Sequence, residues 1–183
     1  AFRLFMLLIT IAGLFIFSSL IGSISSGIDE SISNLRKGKS KVIETNHTLI
    51  LGYSSMIYSV ISELCLANES NKKAVIVVLA DKDKVEMEDD IRSKISDTKT
   101  SKIIVRSGNP LDLRDLLMVN YNEAKSIILL SPENEDNPDN HVIKSVLSIT
   151  GNKNRKKVPY HIVAEIKDSE NRQVANLVGG KEV

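Results

Sequence analysis

Residues 35–54 read LRKGKSKVIETNHTLILGYS, from Leu35 to Ser54, and two different kinds of structure meet there. Before this stretch lie 25 residues without a charge, Leu4 to Ile28; after it, apolar runs alternate with amphipathic stretches. His47-Thr-Leu-Ile-Leu51 reads as a buried strand ended by Gly52. Four more runs share that character: Ala74–Leu79, Ile103–Val105, Ser126–Leu130 and Tyr160–Ile166. They are continuously apolar rather than alternating, as parallel strands covered on both faces must be.

Between the strands the period changes to that of helices. Ile57, Val60, Ile61 and Leu64 share one helical face, and Met87, Ile91 and Ile95 another. Asp83-Lys-Val-Glu86 has the form of a capping box, and Asp112 and Asp168 stand where further helices begin. Leu113, Leu116 and Leu117 belong to a short helix, and Val142, Ile143, Val146 and Leu147 to one that ends at Gly151. The expected fold is α/β: a Rossmann-like, doubly wound parallel sheet with right-handed crossovers, preceded by one transmembrane helix.

At about 1.5 Å per residue, the uncharged run reaches roughly 37 Å as a helix, enough for a ~30 Å hydrocarbon core. A cleavable signal peptide would be shorter, and Arg36, Lys37, Lys39 and Lys41 follow the run closely, placing its C-terminal side in the cytoplasm. Residues 1–28 are thus expected to span the membrane, 29–45 to form a charged helical linker broken at Gly38, and 46–183 to fold as the soluble domain. Opening on Ala1 and stopping just past Gly179-Gly180, the chain reads as an excerpt of a longer protein. Ser19, Gly22, Ser23 and Ser26 form a stripe of small residues suited to helix packing or to lining a watery path, with Gly13 as a bend near mid-membrane.

Composition narrows the chemistry. A net charge of +1 without a strongly basic face argues against nucleic acid as a partner. The single Cys65 precludes an internal disulfide, and His47, His141 and His161 are too scattered for a sequence-local zinc motif. In a doubly wound sheet, ligands bind at the carboxyl ends of the strands, which directs attention to Gly52, Tyr53, Ser54, Asp81, Arg106 and Ser107. The first turn keeps only the opening glycine of G-x-G-x-x-G, with Ser54 and Ile57 in the other two places. A dinucleotide in its usual pose is therefore disfavoured, although the helix N-terminus remains able to receive a smaller anion. Asp81 reads either as a ribose ligand or as part of a helix cap with Asp83. Glu133, Glu135, Asp136 and Asp139 are metal candidates by residue type, without the spacing of an EF-hand. No nucleophile–base constellation is visible.

Longer ordered stretches resemble a known family. Ile32-Ser-Asn-Leu-Arg-Lys-Gly-Lys-Ser-Lys-Val-Ile-Glu44, Asn46-His47 and Leu49-Ile-Leu-Gly-Tyr-Ser54 resemble the joint of the CASTOR/POLLUX ion channels. So do Leu64 with Ala67-Asn68, Val77–Ala80, Glu86–Ile91, Arg106–Pro110, Leu147–Gly151 and Leu177–Gly180. The resemblance implies a tetrameric cation channel whose last membrane helix lines the pore and leads into an RCK-type domain of a cytoplasmic gating ring. It moves Gly13, Ser19, Gly22, Ser23 and Ser26 toward a pore-lining or gating role. It places the selectivity filter upstream and a second lobe downstream, requires no cofactor, and admits calcium or a nucleotide as regulator. Lipid and the permeant cation are the other expected partners. The membrane would be the plasma membrane in a bacterium, and the nuclear envelope or an organelle membrane in a plant-like relative. Two alternatives are a membrane-anchored NAD-dependent enzyme, which needs the missing glycines, and a non-conducting regulatory subunit of a cation transporter.

Overall fold

The structure, a computed structural model, describes residues 2–71, 73–133, 135–153 and 155–183; within these the side chains of residues 5, 26, 29–31 and 33–36 are not described. The chain divides into two units at the Arg36–Lys37 bond. The first consists of α1 (Phe2–Arg36), 35 residues that run unbroken through Gly13. Its Phe2–Ser25 portion is, among the described residues, the one helix long and apolar enough to cross a membrane.

In the second unit, five strands form a parallel sheet: β1 (Thr48–Leu51), β2 (Val75–Ala80), β3 (Lys102–Ser107), β4 (Ser126–Leu129) and β5 (Ile162–Ala164). Their spatial order is β3-β2-β1-β4-β5, so the direction of winding reverses between β1 and β4. Pairing is in register from Thr48↔Ile76 to Leu51↔Leu79 on one side and from Thr48↔Ser126 to Leu51↔Leu129 on the other. The helices are α2 (Met56–Ala67), α3 (Lys84–Lys94), α4 (Leu113–Met118), α5 (Pro138–Thr150) and α6 (Ser169–Gly179), with a 3-10 turn at Tyr121–Glu123.

Two cores flank the sheet because successive strand residues point to opposite faces. Leu49, Leu51, Val77, Leu79, Ile127 and Leu129 pack with Leu116, Tyr121, Val142, Val146 and Ile149 on one side. Ile50, Ile76, Val78 and Val105 pack with Ile57, Ile61, Cys65, Met87 and Ile91 on the other. Each fully buried aliphatic side chain here contributes about 1.5–3 kcal/mol of transfer free energy. Cys65 is core, and burial pushes its thiol up. Asp83 caps α3 by accepting from Val85 N at 2.8 Å and Glu86 N at 3.1 Å; Asp112 and Asp168 cap α4 and α6 in the same way.

The linker departs from the helical expectation. Helix α1 stops at Arg36, and Gly38 turns the chain with φ +69°. A Cβ at Gly38 would meet Ser107 N and Lys84 Cδ at 3.0 Å, so this turn fits only against the domain. Residues 39–46 then lie along the β3–α4 edge without helical structure. Val42 N donates to Met118 O at 2.7 Å and Asn46 N to Glu123 O at 2.8 Å. Arg106 Nε donates to Ser40 O at 2.7 Å, and Lys102 Nζ to Glu44 at 2.7 Å. Val42 is 1% exposed while its neighbour Ile43 is 83% exposed, so the segment turns one side chain into the domain and the next toward solvent.

Candidate ligand cleft

The reversal between β1 and β4 parts the loops that follow these strands, and a cleft of about 570 Å³ opens at their carboxyl ends. Its floor is the turn Gly52–Ser55. Gly52 has φ +95°, and a Cβ there would stand 2.7 Å from Leu130 O, so β1 and β4 end close together only because this residue is glycine. Asp81 and Lys82 form one rim, Pro132, Glu133 and Glu135 the other, and Tyr58, Ala80, Lys94, Pro110 and His141 complete the lining.

One wall is a basic aromatic cluster. Tyr53 and Tyr58 meet edge to face with ring centroids 6.2 Å apart, their hydroxyl oxygens 3.1 Å apart. Lys82 Nζ lies 4.7 Å from the Tyr53 centroid, and Lys94 Nζ lies 3.9 Å from that of Tyr58, distances at which the ring quadrupole attracts the cation. Asp90 draws the group together by accepting from Lys82 Nζ at 2.7 Å and from Tyr53 Oη at 3.3 Å. The Lys82 ammonium holds the Asp90 carboxyl below its ordinary range, Asp90 raises Lys82, and burial followed by the Tyr58 hydroxyl raises Tyr53.

The opposite wall carries Glu133. Its Oε1 accepts from Ser55 N at 2.7 Å, at the start of α2, and this bond holds the carboxyl below its ordinary range. Helix α2 has no acidic residue in its first turn and no side-chain cap of its own, so the positive end of its dipole is answered from the β4–α5 loop. Beside it Ser54, 5% exposed, lines the cleft with a hydroxyl that has no hydrogen-bond partner.

The structure brings Gly52, Tyr53, Ser54 and Asp81 together in this cleft, and it places Arg106 and Ser107 elsewhere. Arg106 bends back to the linker, bonding Ser40 O and Val105 O, and burial lowers its affinity for the proton. Its long side chain follows the nearest unsatisfied carbonyls rather than the direction of its strand. Asp81 is exposed and leaves the capping of α3 to Asp83.

The four acidic candidates are dispersed. Glu133 faces α2, Glu135 lines both the cleft and a neighbouring groove, and Asp136 lines that groove but not the cleft. Asp139, 4% exposed, accepts from Lys167 N at 2.8 Å, Asp168 N at 2.9 Å and Asn171 Nδ2 at 3.0 Å, tying α5 to the start of α6. Among the described residues no group of three or more His, Cys, Asp or Glu is placed to hold a metal ion. Asp139→Ala leaves two backbone amides without their acceptor, an expected loss of about 2–3 kcal/mol read as a lower melting midpoint. An unchanged midpoint would refute the tie. The net effect of its partners is to lower the Asp139 carboxyl. Its contribution is therefore complete above the ordinary carboxyl range and is lost as pH falls through the lowered folded-state value.

In α1, Ser19, Gly22 and Ser23 lie on the span and are exposed, and a Cβ built at Gly13 or Gly22 meets nothing within 4 Å beyond its chain neighbours and the adjoining helix backbone. The side chain of Ser26 lies outside the described residues.

Sequence reasoning missed Tyr58, Lys82, Asp90, Lys94 and His141 by stopping at the residues next to each strand. A signal was present: Glu86, Asp90 and Lys94 recur at four-residue spacing on one face of α3, downstream of Lys82.

Comparison with known proteins agrees with this architecture. The profile of the calcium-activated potassium channel slowpoke-like RCK domain matches residues 43–160. The chain is 42% identical over 179 residues to the ion channel CASTOR of Lotus japonicus, covering 97% of this chain and 21% of that protein. It is 43% identical over 174 residues to the ion channel DMI1 of Medicago truncatula, covering 94% and 20%. With POLLUX of Arabidopsis thaliana the identity is 42% over 182 residues, covering 99% and 22%. The chain thus spans about a fifth of the length of these relatives. Among solved structures, a GsuK channel bound to NAD superposes with a TM-score of 0.57 at 19% identity, covering 87% of this chain and 25% of that one. The human SLO3 gating ring gives 0.54 at 19%, covering 76% and 25%. At that identity the likeness is one of fold.

Proposed function

Because the chain belongs to the slowpoke-like RCK domain family, we propose that it is the joint of a ligand-regulated cation channel subunit, in which α1 lines the pore and the α/β unit belongs to a cytoplasmic gating ring. Four copies assemble around the pore, embedded in lipid, and the RCK unit lies on the cytoplasmic side. A channel subunit rather than an enzyme is the reading supported by relatives that are named ion channels. Gly13 and the stripe Ser19, Gly22 and Ser23 face the conduction path.

The observation that carries this reading is a short chain of contacts from cleft to linker. Pro110 lines the cleft. One residue earlier, Asn109 N donates to Asp115 Oδ2 at 2.8 Å, and Asp115 Oδ1 lies 3.7 Å from Lys39 Nζ in the linker. Gly108 fits between Asp115 and Leu79, leaving no room for a Cβ, so the turn after β3 moves as one piece. A ligand that displaces this turn displaces the residues to which the linker is bonded.

The regulator is calcium or a nucleotide, acting through differential affinity for two ring geometries; a hundredfold preference at one site supplies about 2.7 kcal/mol. Recording the full-length protein in planar bilayers under a potassium gradient, with calcium varied on the ring side, tests the proposal. Cation currents that change with ring-side calcium are expected. Electrical silence from a folded tetramer would instead favour the non-conducting sensor.

A further inference from the structure

The α2 N-terminus has the properties of an anion seat and is already occupied by the protein itself. Glu133 Oε1 stands 2.7 Å from Ser55 N, where backbone amides and the helix dipole concentrate positive potential. Two independent features indicate that this place suits an exchangeable anion. Helix α2 supplies no acidic or capping side chain of its own. The Ser54 hydroxyl beside it is buried, lines the cleft and lacks any partner, a donor held ready at a cost that native structures rarely accept without use. The rest of the cleft is mixed in charge: Lys94 and Lys82, the latter paired with Asp90 at 2.7 Å, line it together with Asp81 and Glu135.

We propose that Glu133 is a built-in competitor for phosphate: its carboxylate holds the anion seat of the cleft, and a phosphate-bearing small molecule binds only by displacing it. Ser54 Oγ and the first amides of α2 then receive the phosphate, with the Lys94 ammonium at hand for the remaining charge. Glu133 is exposed and reaches the seat from another loop, so it swings out to solvent without disturbing either core. A ligand without an anionic group leaves Glu133 in place, which makes this residue a specificity determinant. The inference deepens the reading of the cleft as the regulatory site, and it is tested by binding alone, so that its outcome does not depend on conduction.

Isothermal titration of the detergent-solubilised full-length protein with pyrophosphate, and separately with ADP, compares the natural protein with Glu133→Ala and Glu133→Gln. Removing the competing charge is expected to raise affinity for at least one probe tenfold or more in Glu133→Ala, with a smaller gain in Glu133→Gln, whose amide oxygen still accepts from Ser55 N. Adding Ser54→Ala to Glu133→Ala is expected to take back much of the gain, since it removes the waiting donor. A gain with pyrophosphate locates recognition in the phosphate alone, and a gain confined to ADP adds the nucleoside; both support the proposal. Equal affinity in the natural and substituted proteins, binding by none of them, or tighter binding with Glu133 present overturns it. Should Glu133→Ala fail to fold, Glu133→Gln carries the same comparison.

Discussion

Gly52→Ala is expected to destabilise the RCK unit by about 3–4 kcal/mol, through two effects that act at the same atom. Holding a residue with a Cβ in the left-handed region costs roughly 1–2 kcal/mol, and Gly52 sits at φ +95°. The added carbon then lies 2.7 Å from Leu130 O, a backbone atom that cannot rotate away. Relief requires β1 and β4 to part at their carboxyl ends, where Leu130 N donates to Leu51 O at 2.9 Å. Overpacking of this kind adds about 1–3 kcal/mol. For a unit of this size the melting midpoint should fall by roughly 10 °C. The cleft should widen with it, because Gly52 forms the floor. Circular dichroism melts of the full chain check this, and a midpoint within about 2 °C of the natural protein would show that the turn relaxes freely.

That glycine also shows what the sequence revealed and what it hid. Gly52 is the one surviving position of the dinucleotide fingerprint, and the structure gives it a reason independent of any ligand: the turn between a strand and a helix needs it. The other two positions have been given over to packing and to the cleft. Ile57 is fully buried in the core under α2, where a glycine would have let helix and sheet approach. Ser54 keeps a hydroxyl where backbone would have met a phosphate. Strands and helices were legible because each element is either continuously apolar or periodic over many residues, and the doubly wound sheet followed from their alternation. Side-chain direction was not legible. Arg106 was expected at the ligand site from its place at a strand end, but it reaches the linker carbonyl of Ser40. Asp139 was grouped with the acidic loop by proximity in sequence, but it sits at the start of α5 and accepts from the amides of Lys167 and Asp168 just before α6. The linker was misread past Gly38 because Ile28, Ile32 and Leu35 continue a helical period up to that point. Beyond it, the burial of Val42 depends on the β3–α4 edge, which no local pattern encodes.

Loosening the linker is expected to have the largest functional effect. A Gly-Ser-Gly-Ser insertion between Lys37 and Gly38 leaves the docked segment 39–46 bonded to the domain, yet it adds up to about 13 Å of slack. A ring displacement of a few ångströms is then taken up by the insert before it reaches α1. The calcium-dependent change in open probability should fall at least tenfold, equivalent to about 1.4 kcal/mol of lost coupling. Melting of the RCK unit should remain unchanged, since none of its contacts is removed. Arg106→Ala approaches the same end from the other side. It deletes the bond to Ser40 O and leaves that half-buried segment held by Val42 N, Asn46 N, the Asn120 bond to Glu44 O and the Lys102–Glu44 and Lys39–Asp115 pairs. Its response to calcium should weaken less than that of the insertion, because the remaining bonds still transmit part of the displacement. The two variants together distinguish tension carried by the linker from a change conveyed elsewhere in the tetramer. If both retain the natural calcium response, the linker does not couple ring to pore. If only Arg106→Ala loses it, the docked edge itself is the moving element, and slack before Gly38 is immaterial.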